Sequence, residues 1–284
     1  MNRFSGRDFT DEDIQLIRDI ISEDPNYSRS KISQIVCQKL SWYKADGLVK
    51  EMSCRVALLR MQEAGLIVLP KPKQKRIPPN ISKTNPDTDP STPINLPVHE
   101  LPNIKIELVN HKSTDLWNQY IHRYHYLGYS PIPGAQLRYI VKIDNQIIAL
   151  LSFGASAWKC APRDLYIGWG KNRREENLNL IVNNSRFLIM PWIKSKNLAS
   201  KILSLISKRI RNDWLVKYNY APVLMETFVD TEKFNGGCYK ASNWIKLGET
   251  KGRGKKSTSS KQCTSIKSIW IKPLVKNYIK LLTG

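Results

Sequence analysis

Eight of the 16 prolines fall within residues 71–102, and that stretch divides the chain more firmly than any other feature. Proline locks φ and lacks an N–H donor, so a run this dense joins neither a helix interior nor a sheet ladder. Three parts are therefore expected: a helical module over 8–70, a basic proline-rich linker over 71–102 without a core, and a larger mixed domain over 103–284. The 284 residues suffice for two cores, and 41% hydrophobic content with 8 Trp and 12 Tyr excludes a disordered chain.

The formal charge of +21 bears most on function. A soluble chain with this excess repels itself unless a polyanion is at hand, and DNA or RNA is the commonest such partner. A merely basic surface is the plain alternative. Anionic membrane is the rival partner, but no basic amphipathic helix with a long apolar face is evident, so no membrane role is expected. Residues 1–13 are polar and do not read as a signal peptide, and no apolar run approaches a membrane span. The five cysteines (37, 54, 160, 238 and 263) are odd in number and form no CxxC pair, so neither a disulfide framework nor a metal site is expected. A reducing cytoplasmic setting fits best.

Three helical patterns occupy residues 10–65. Thr10 is a good N-cap, followed by Asp11, Glu12 and Asp13 in the first turn, where the helix dipole favours acids. Ile14, Ile17 and Ile21 then recur at helical spacing until Pro25. A second helix opens near Ser28 with Ile32, Ile35, Val36 and Leu40 on one face. A third covers about Leu48–Ala64, with Met52, Val56 and Leu59 expected inward, Gly65 as its stop and Leu66–Leu69 as a short strand. Three helices and a strand outline a winged helix-turn-helix, whose last helix enters the major groove. Arg29, Lys31, Lys50, Ser53, Arg55 and Arg60 are then candidate DNA contacts, and a small bundle with solvated charges is the alternative. In the linker, Lys73, Lys75 and Arg76 suit a phosphate backbone, or simply water.

Beyond residue 103 the pattern is mixed. IKIELV reads as a strand, Ser113–Tyr124 as a helix, and LRYIVKI–DN–QIIALLSFG as a hairpin turning at Asp144-Asn145. Tyr166–Trp169 and Leu180–Val182 suggest strand pieces, residues 197–210 a strong helix, and PVLMETFVD a strand covered on both faces. A helix over about Gly237–Trp244 and a strand at SIWIKPL follow. From Thr250 onward there are nine Lys or Arg and no acid, so Lys251, Arg253, Lys255 and Lys256 are candidate phosphate contacts, with a flexible charged segment as the alternative.

Candidate catalytic groups are few. Glu226 and Asp230 sit at the end of an apolar strand, where a carboxylate serves as a base or pairs with a nearby Arg or Lys. His125 lies among Tyr124, Tyr126 and Tyr129, either as a proton carrier or as a packed ring. Asn183-Asn184-Ser185-Arg186 suits phosphate or base edges, Arg186 above all, or turn capping. Tyr239 and Asn243, four apart, are expected to face one cleft. Trp158 and Trp244 are expected in the core. No nuclease triad, Walker loop or zinc cluster is found, and GKK at 254–256 is a charge run.

Long segments carry a specific resemblance: LSWYKADGLVKEMSCRVALLRMQEAGLIVLP, HYLGYSPIPGAQLRYIV, LSFGASAWKCAPRD, IGW, LIVNNSRFLIMPWIKSKNLASKIL and LMETFVDTEKFNGGCYKASNWIKLGETKGRG. In that order they resemble the DruA family of the Druantia anti-phage defence systems. The resemblance implies a DNA-engaging subunit working beside other Druantia components, a large helicase-like protein among them. It supplies no reaction.

The order of HYLGY, the hairpin ending in LSFG, the 197–210 helix, ETFVD and CYKASNWIKLGET is similar to the phage Mu DNA-modification protein Mom and the wider GNAT acyltransferases. That similarity implies a GNAT-like α/β domain. Members hold a cofactor pyrophosphate on a glycine-rich loop before the long helix, whereas PWIKSKNLAS here has no glycine, so the cofactor stays unknown. The expected fold is thus α+β, mixed, a winged-helix-like module joined to a GNAT-like domain. The expected function is DNA binding in anti-phage defence. The alternative is a nucleic-acid-modifying or processing enzyme using Glu226, Asp230, His125, Tyr239 or Asn243.

Overall fold

A computed structural model describes residues 2–73, 85–252 and 264–284. The chain forms two compact units, Met1–Asn80 and Ile81–Gly284.

In the first unit, a hairpin of β1 (Asn2–Phe4) and β2 (Arg7–Phe9) leads into α1 (Asp11–Glu23). Thr10 accepts from the Asp13 N–H at 3.2 Å, and the Asp13 carboxylate accepts from the Thr10 N–H at 3.1 Å, completing a capping box. Ser28 caps α2 (Arg29–Lys39), and α3 spans Glu51–Glu63. Glu51, at the start of α3, accepts from Ser30 and Gln34 of α2, and these bonds hold the two helices together.

The phase of α3 differs from expectation. Cys54, Ala57, Leu58 and Met61 are buried, whereas Met52 (66% exposed), Val56 and Leu59 face outward. Small side chains at Cys54 and Ala57 let α2 approach closely while Leu58 and Met61 fill the core, and Met52, Val56 and Leu59 are left outside. Leu66–Leu69 forms no strand. The Leu69 N–H donates to Gln62, and Arg18 and Arg29 donate to the carbonyls of Leu66 and Pro70, so side chains take the backbone groups that a ladder would need. No wing therefore follows α3 among the described residues.

The second unit begins inside the expected linker. Residues 85–98 are a strap packed on its surface: Tyr120 and Tyr124 donate to the carbonyls of Asp87 and Thr88, and Arg123 pairs with Asp89 at 2.8 Å. Ile94 bridges to Ile193, accepting from the Lys194 N–H at 2.8 Å. Prolines do not prevent this, because the strap needs few N–H donors and the side chains of Tyr120, Tyr124 and Gln146 donate to its carbonyls.

The unit then runs β3 (Ile104–Leu108), α4 (Thr114–Tyr124), β4 (Gln136–Ile143), β5 (Gln146–Ala155), α5 (Ala161–Ile167), α6 (Lys171–Asn177) and β6 (Ile181–Ile189). It continues through α7 (Leu198–Tyr218), β7 (Leu224–Asp230), α8 (Gly237–Ala241), β8 (Ile245–Glu249), β9 (Lys267–Pro273) and α9 (Tyr278–Thr283). Seven strands form one mixed sheet in the order β3-β4-β5-β6-β7-β9-β8. The β4–β5 hairpin turns at Asp144, whose φ of 49° lies in the left-handed region that Asp and Asn tolerate. Tyr166 and Ile167 belong to α5 rather than to a strand, and Gly168, at φ 77°, ends that helix.

β6 and β7 are the one parallel pair of this sheet, joined by α7, whose Ile202, Leu203, Ile206 and Ile210 are buried on the main core. Their register runs from Ile181↔Leu224 only to Asn184↔Thr227. Beyond it, Arg186–Ile189 stay paired with β5 while Phe228–Asp230 stay paired with β9, so the two strands part and open a cleft. Among the described residues, no helix is long and apolar enough to cross a membrane.

Candidate functional site

The cleft at the parting of β6 and β7 has a volume of about 1510 Å³. β6 and β7 form its floor, with Asn183, Asn184, Ser185 and Thr227. A bulge between Ser152 and Phe153 leaves Ser185 as the extra residue beside the Ser152↔Arg186 pair, and the Ser152 and Ser185 hydroxyls meet at 2.8 Å. Asn184 donates to the carbonyls of Ser152 and Arg186 and accepts from the Tyr239 hydroxyl at 2.9 Å. Burial pushes the Tyr239 phenol well up, so it serves as a donor and not as a base. The buried Asn183 Oδ1 has no partner among the described residues.

Four cations line the same cleft: Lys159, Arg186, Lys233 and Lys267. Arg186 is aimed by three oxygens, donating to the carbonyls of Ser185 (2.7 Å) and Gly128 (3.3 Å) and to the Ser130 hydroxyl (3.2 Å). Three aromatic residues stand at the mouth, Tyr126 (42% exposed), Trp158 (50%) and Phe234 (51%). Tyr126 and Phe234 meet edge to face at 5.5 Å, and the Lys233 ammonium lies 5.8 Å from the Tyr126 ring centre. Large apolar rings half exposed beside cations form a surface for π-faced anions.

Of the expected catalytic residues, three line this cleft. His125 stacks on Tyr126 at 4.9 Å, and its Nδ1 accepts from the Leu127 N–H at 3.2 Å. Burial, reinforced by Arg186, lowers its pKa to about 4, so at neutral pH the ring is uncharged and carries its proton on Nε2. Tyr239 is the second. Asp230 is the third, its carboxylate accepting from Ser265 at 2.9 Å and from the Glu232 N–H at 3.2 Å.

Two expected residues lie elsewhere. Glu226 is fully buried: one oxygen accepts from Arg163 at 2.7 Å and the other from the Ala157 N–H at 2.7 Å. Burial pushes its carboxyl upward against the pull of Arg163, so of the two roles open to it the structural pairing is the one formed. Asn243 is exposed and lines no part of the cleft. α8 ends at Ala241 and Asn243 adopts φ 60°, which breaks the helical face that four-residue spacing presumes.

Among the expected phosphate contacts that fall in the described residues, Arg186 alone lines the cleft. In the first unit, Lys31 and Arg60 are exposed, while Lys50 and Ser53 are half-buried. Arg55 lies 3.8 Å from Glu51, Arg29 donates to the Pro70 carbonyl at 2.7 Å, and Lys73 donates to the Asn26 carbonyl at 3.0 Å. Lys251 is exposed, and Lys75, Arg76, Arg253, Lys255 and Lys256 lie outside the described residues. Trp244 is buried as expected, but Trp158 is not in the core. Sequence reasoning also missed Lys159, Lys233, Lys267 and Phe234; an aromatic residue before Gly236-Gly237, just past a strand end, was the available signal.

An acyl carrier does not fit the stretch before α7. It has no glycine, Asn197 caps the helix at φ 67° without a side-chain bond, and the strap occupies the Lys194 amide.

Several acetyltransferases are among the solved structures with some likeness to the chain. The ribosomal-protein-S18-alanine N-acetyltransferase of Escherichia coli has 9% identity and a TM-score of 0.37 over 61% of this chain and 94% of that one. An N-acetyltransferase of Staphylococcus aureus Mu50 has 10% identity and a TM-score of 0.38, over 61% and 98%. The Drosophila melanogaster polyamine N-acetyltransferase has 9% identity and a TM-score of 0.38, over 60% and 100%. At these scores the likeness carries no weight for reaction or ligand. No curated protein matches by sequence. The family described as Druantia protein DruA matches residues 62–268, well over half of the chain. This chain belongs to the DruA family.

Proposed function

We propose that this chain is a nucleic-acid-binding component of a Druantia anti-phage defence system, acting in the cytoplasm beside other Druantia subunits, a helicase-like one among them. In this reading single-stranded DNA lies in the cleft between β6 and β7. One observation carries it: Lys159, Arg186, Lys233 and Lys267 share a single concave site with the exposed rings of Tyr126, Trp158 and Phe234. Phosphates are anionic partners for the cations, and only unstacked bases offer their faces to the rings. The net charge of +21 supports the same partner, and the helical unit with Lys31 and Arg60 adds phosphate contacts in this reading.

The test is a fluorescence-anisotropy titration of the full chain with a labelled single-stranded oligonucleotide across a range of salt. Affinity is expected to fall steeply with ionic strength and to drop in Arg186→Ala. Binding that ignores salt, or no binding in dilute buffer, sinks the proposal.

A second reading is a nucleic-acid-processing reaction in the same cleft, on a GNAT-like domain. It is favoured by Asp230, a carboxylate at the end of a strand in the parallel pair, where α/β sheets commonly hold ligands. Mass spectrometry of DNA from cells carrying the chain or its Asp230→Asn variant tests it. Identical, unaltered DNA from both rejects it.

A further inference from the structure

The loop between β5 and α5 supplies Trp158 and Lys159 to the cleft mouth, and its backbone is tied from below. The Ser156 hydroxyl donates to the Leu178 carbonyl at 3.0 Å, and the Cys160 N–H donates to Asp164 at 3.1 Å. Between them, Ala157 has both backbone groups taken by one ion pair. Its N–H donates to Glu226 at 2.7 Å and its carbonyl accepts from Arg163 at 2.9 Å. Glu226 and Arg163 are themselves joined at 2.7 Å with both side chains fully buried, and Arg163 also donates twice to Asp164 (3.0 and 2.7 Å).

A buried ion pair is a poor source of stability, since apolar residues of like volume often do as well. Its distinctive yield is direction: charge-assisted bonds fix a peptide plane where apolar packing leaves it free to shift. Here the planes so fixed are the two that flank Ala157, the second of which leads directly into Trp158.

We infer that Glu226 and Arg163 are positioning residues, a buried clasp that sets the Ala155–Lys159 loop so that Trp158 and Lys159 stand at the mouth of the cleft. This rests on the reading of the cleft as a nucleic-acid site, and it extends that reading to two residues that never touch the ligand. It also gives the carboxylate of Glu226 a task in recognition without a role in catalysis.

The experiment is a double-mutant cycle on the full chain, read by anisotropy with a single-stranded oligonucleotide. Trp158→Ala and Glu226→Gln are each expected to weaken binding roughly tenfold, the scale of one base–aromatic stack. Their combination is expected to fall well short of the product of the two losses, because only the share carried by Lys159 remains to be lost once Trp158 is gone. Full additivity, or wild-type binding by Glu226→Gln where Trp158→Ala binds weakly, overturns the clasp. Should Glu226→Gln fail to fold, the apolar pair Glu226→Leu with Arg163→Met replaces it in the cycle. A second measurement stands apart from any ligand. Hydrogen exchange at residues 156–159 is expected to quicken in the clasp variants, and unchanged exchange overturns the clasp by itself. Loss of neither affinity nor salt dependence in Trp158→Ala and Lys159→Ala, with faster exchange in the clasp variants, rejects the cleft as the nucleic-acid site while leaving the clasp in place.

Discussion

The outward face of α3 and the cleft of the second unit both bear cations, but they present them in opposite ways. On α3, Arg55 lies against Glu51 and Met52, and Arg60 is exposed on the same helix as the outward Met52, Val56 and Leu59. In the cleft, four cations converge with three aromatic rings, and Arg186 is held in place by three oxygens. Charge of equal sign is therefore not equal evidence of a site. Convergence on a concave, pre-aimed surface distinguishes the second region, because the cost of ordering its side chains is met before a ligand arrives.

Four measurements sharpen or break that contrast. The largest effect is expected from Arg163→Ala, which strands Glu226 as an unpaired buried charge and costs about 3–5 kcal/mol of stability, read by chemical denaturation. A loss under 1 kcal/mol shows the cleft wall to be far less ordered than its bonds suggest.

Next is acid. His125 titrates at about 4 in the folded chain, below its ordinary value, so between roughly pH 6.5 and 4 the unfolded chain binds the additional proton. Stability from this group is intact above about pH 6.5 and declines toward pH 4 by roughly 3 kcal/mol, a slope that His125→Asn should flatten. An unchanged slope in that variant removes His125 from the buried wall of the cleft.

Third, Arg186→Ala is expected to weaken oligonucleotide binding by about 1.5–3 kcal/mol and to shallow the salt dependence by about 0.7 in the log–log slope. The smallest effect belongs to Arg60→Ala on α3, expected within about 0.5 kcal/mol on single strands. Should Arg60→Ala prove the more damaging of the two, the contrast is reversed and the helical unit is the reader.

Local chemistry was legible in the sequence wherever a residue acts on its neighbours. Thr10 with Asp13 marks the start of α1, Asp144-Asn145 marks the hairpin, and the apolar run at 222–230 marks β7. α3 was misread because two stripes fit its spacing. Met52, Val56 and Leu59 form one, Cys54, Ala57, Leu58 and Met61 the other, and bulk favoured the wrong stripe. Close approach of α2 decided it, and that is a tertiary fact. The site was legible only in pieces. His125, Arg186, Asp230 and Tyr239 do meet, but Glu226 finds its partner 63 residues earlier, in a helix whose end had the look of a strand. Lys159, Lys233 and Lys267 come from three loops or strand ends, and no spacing in the chain announces that they will converge.

The strand order β7-β9-β8 places the late strand β9 between two that precede it in the chain. As the polypeptide leaves the ribosome, β8 is complete at Glu249, yet it has no sheet to join until Lys267–Pro273 emerges and slots in beside β7. Until then the flank of β7 is an unpaired edge, the kind of template on which stray strands add. Nascent chains halted between those two points should be sticky, so the wall of the cleft is among the last things the molecule finishes.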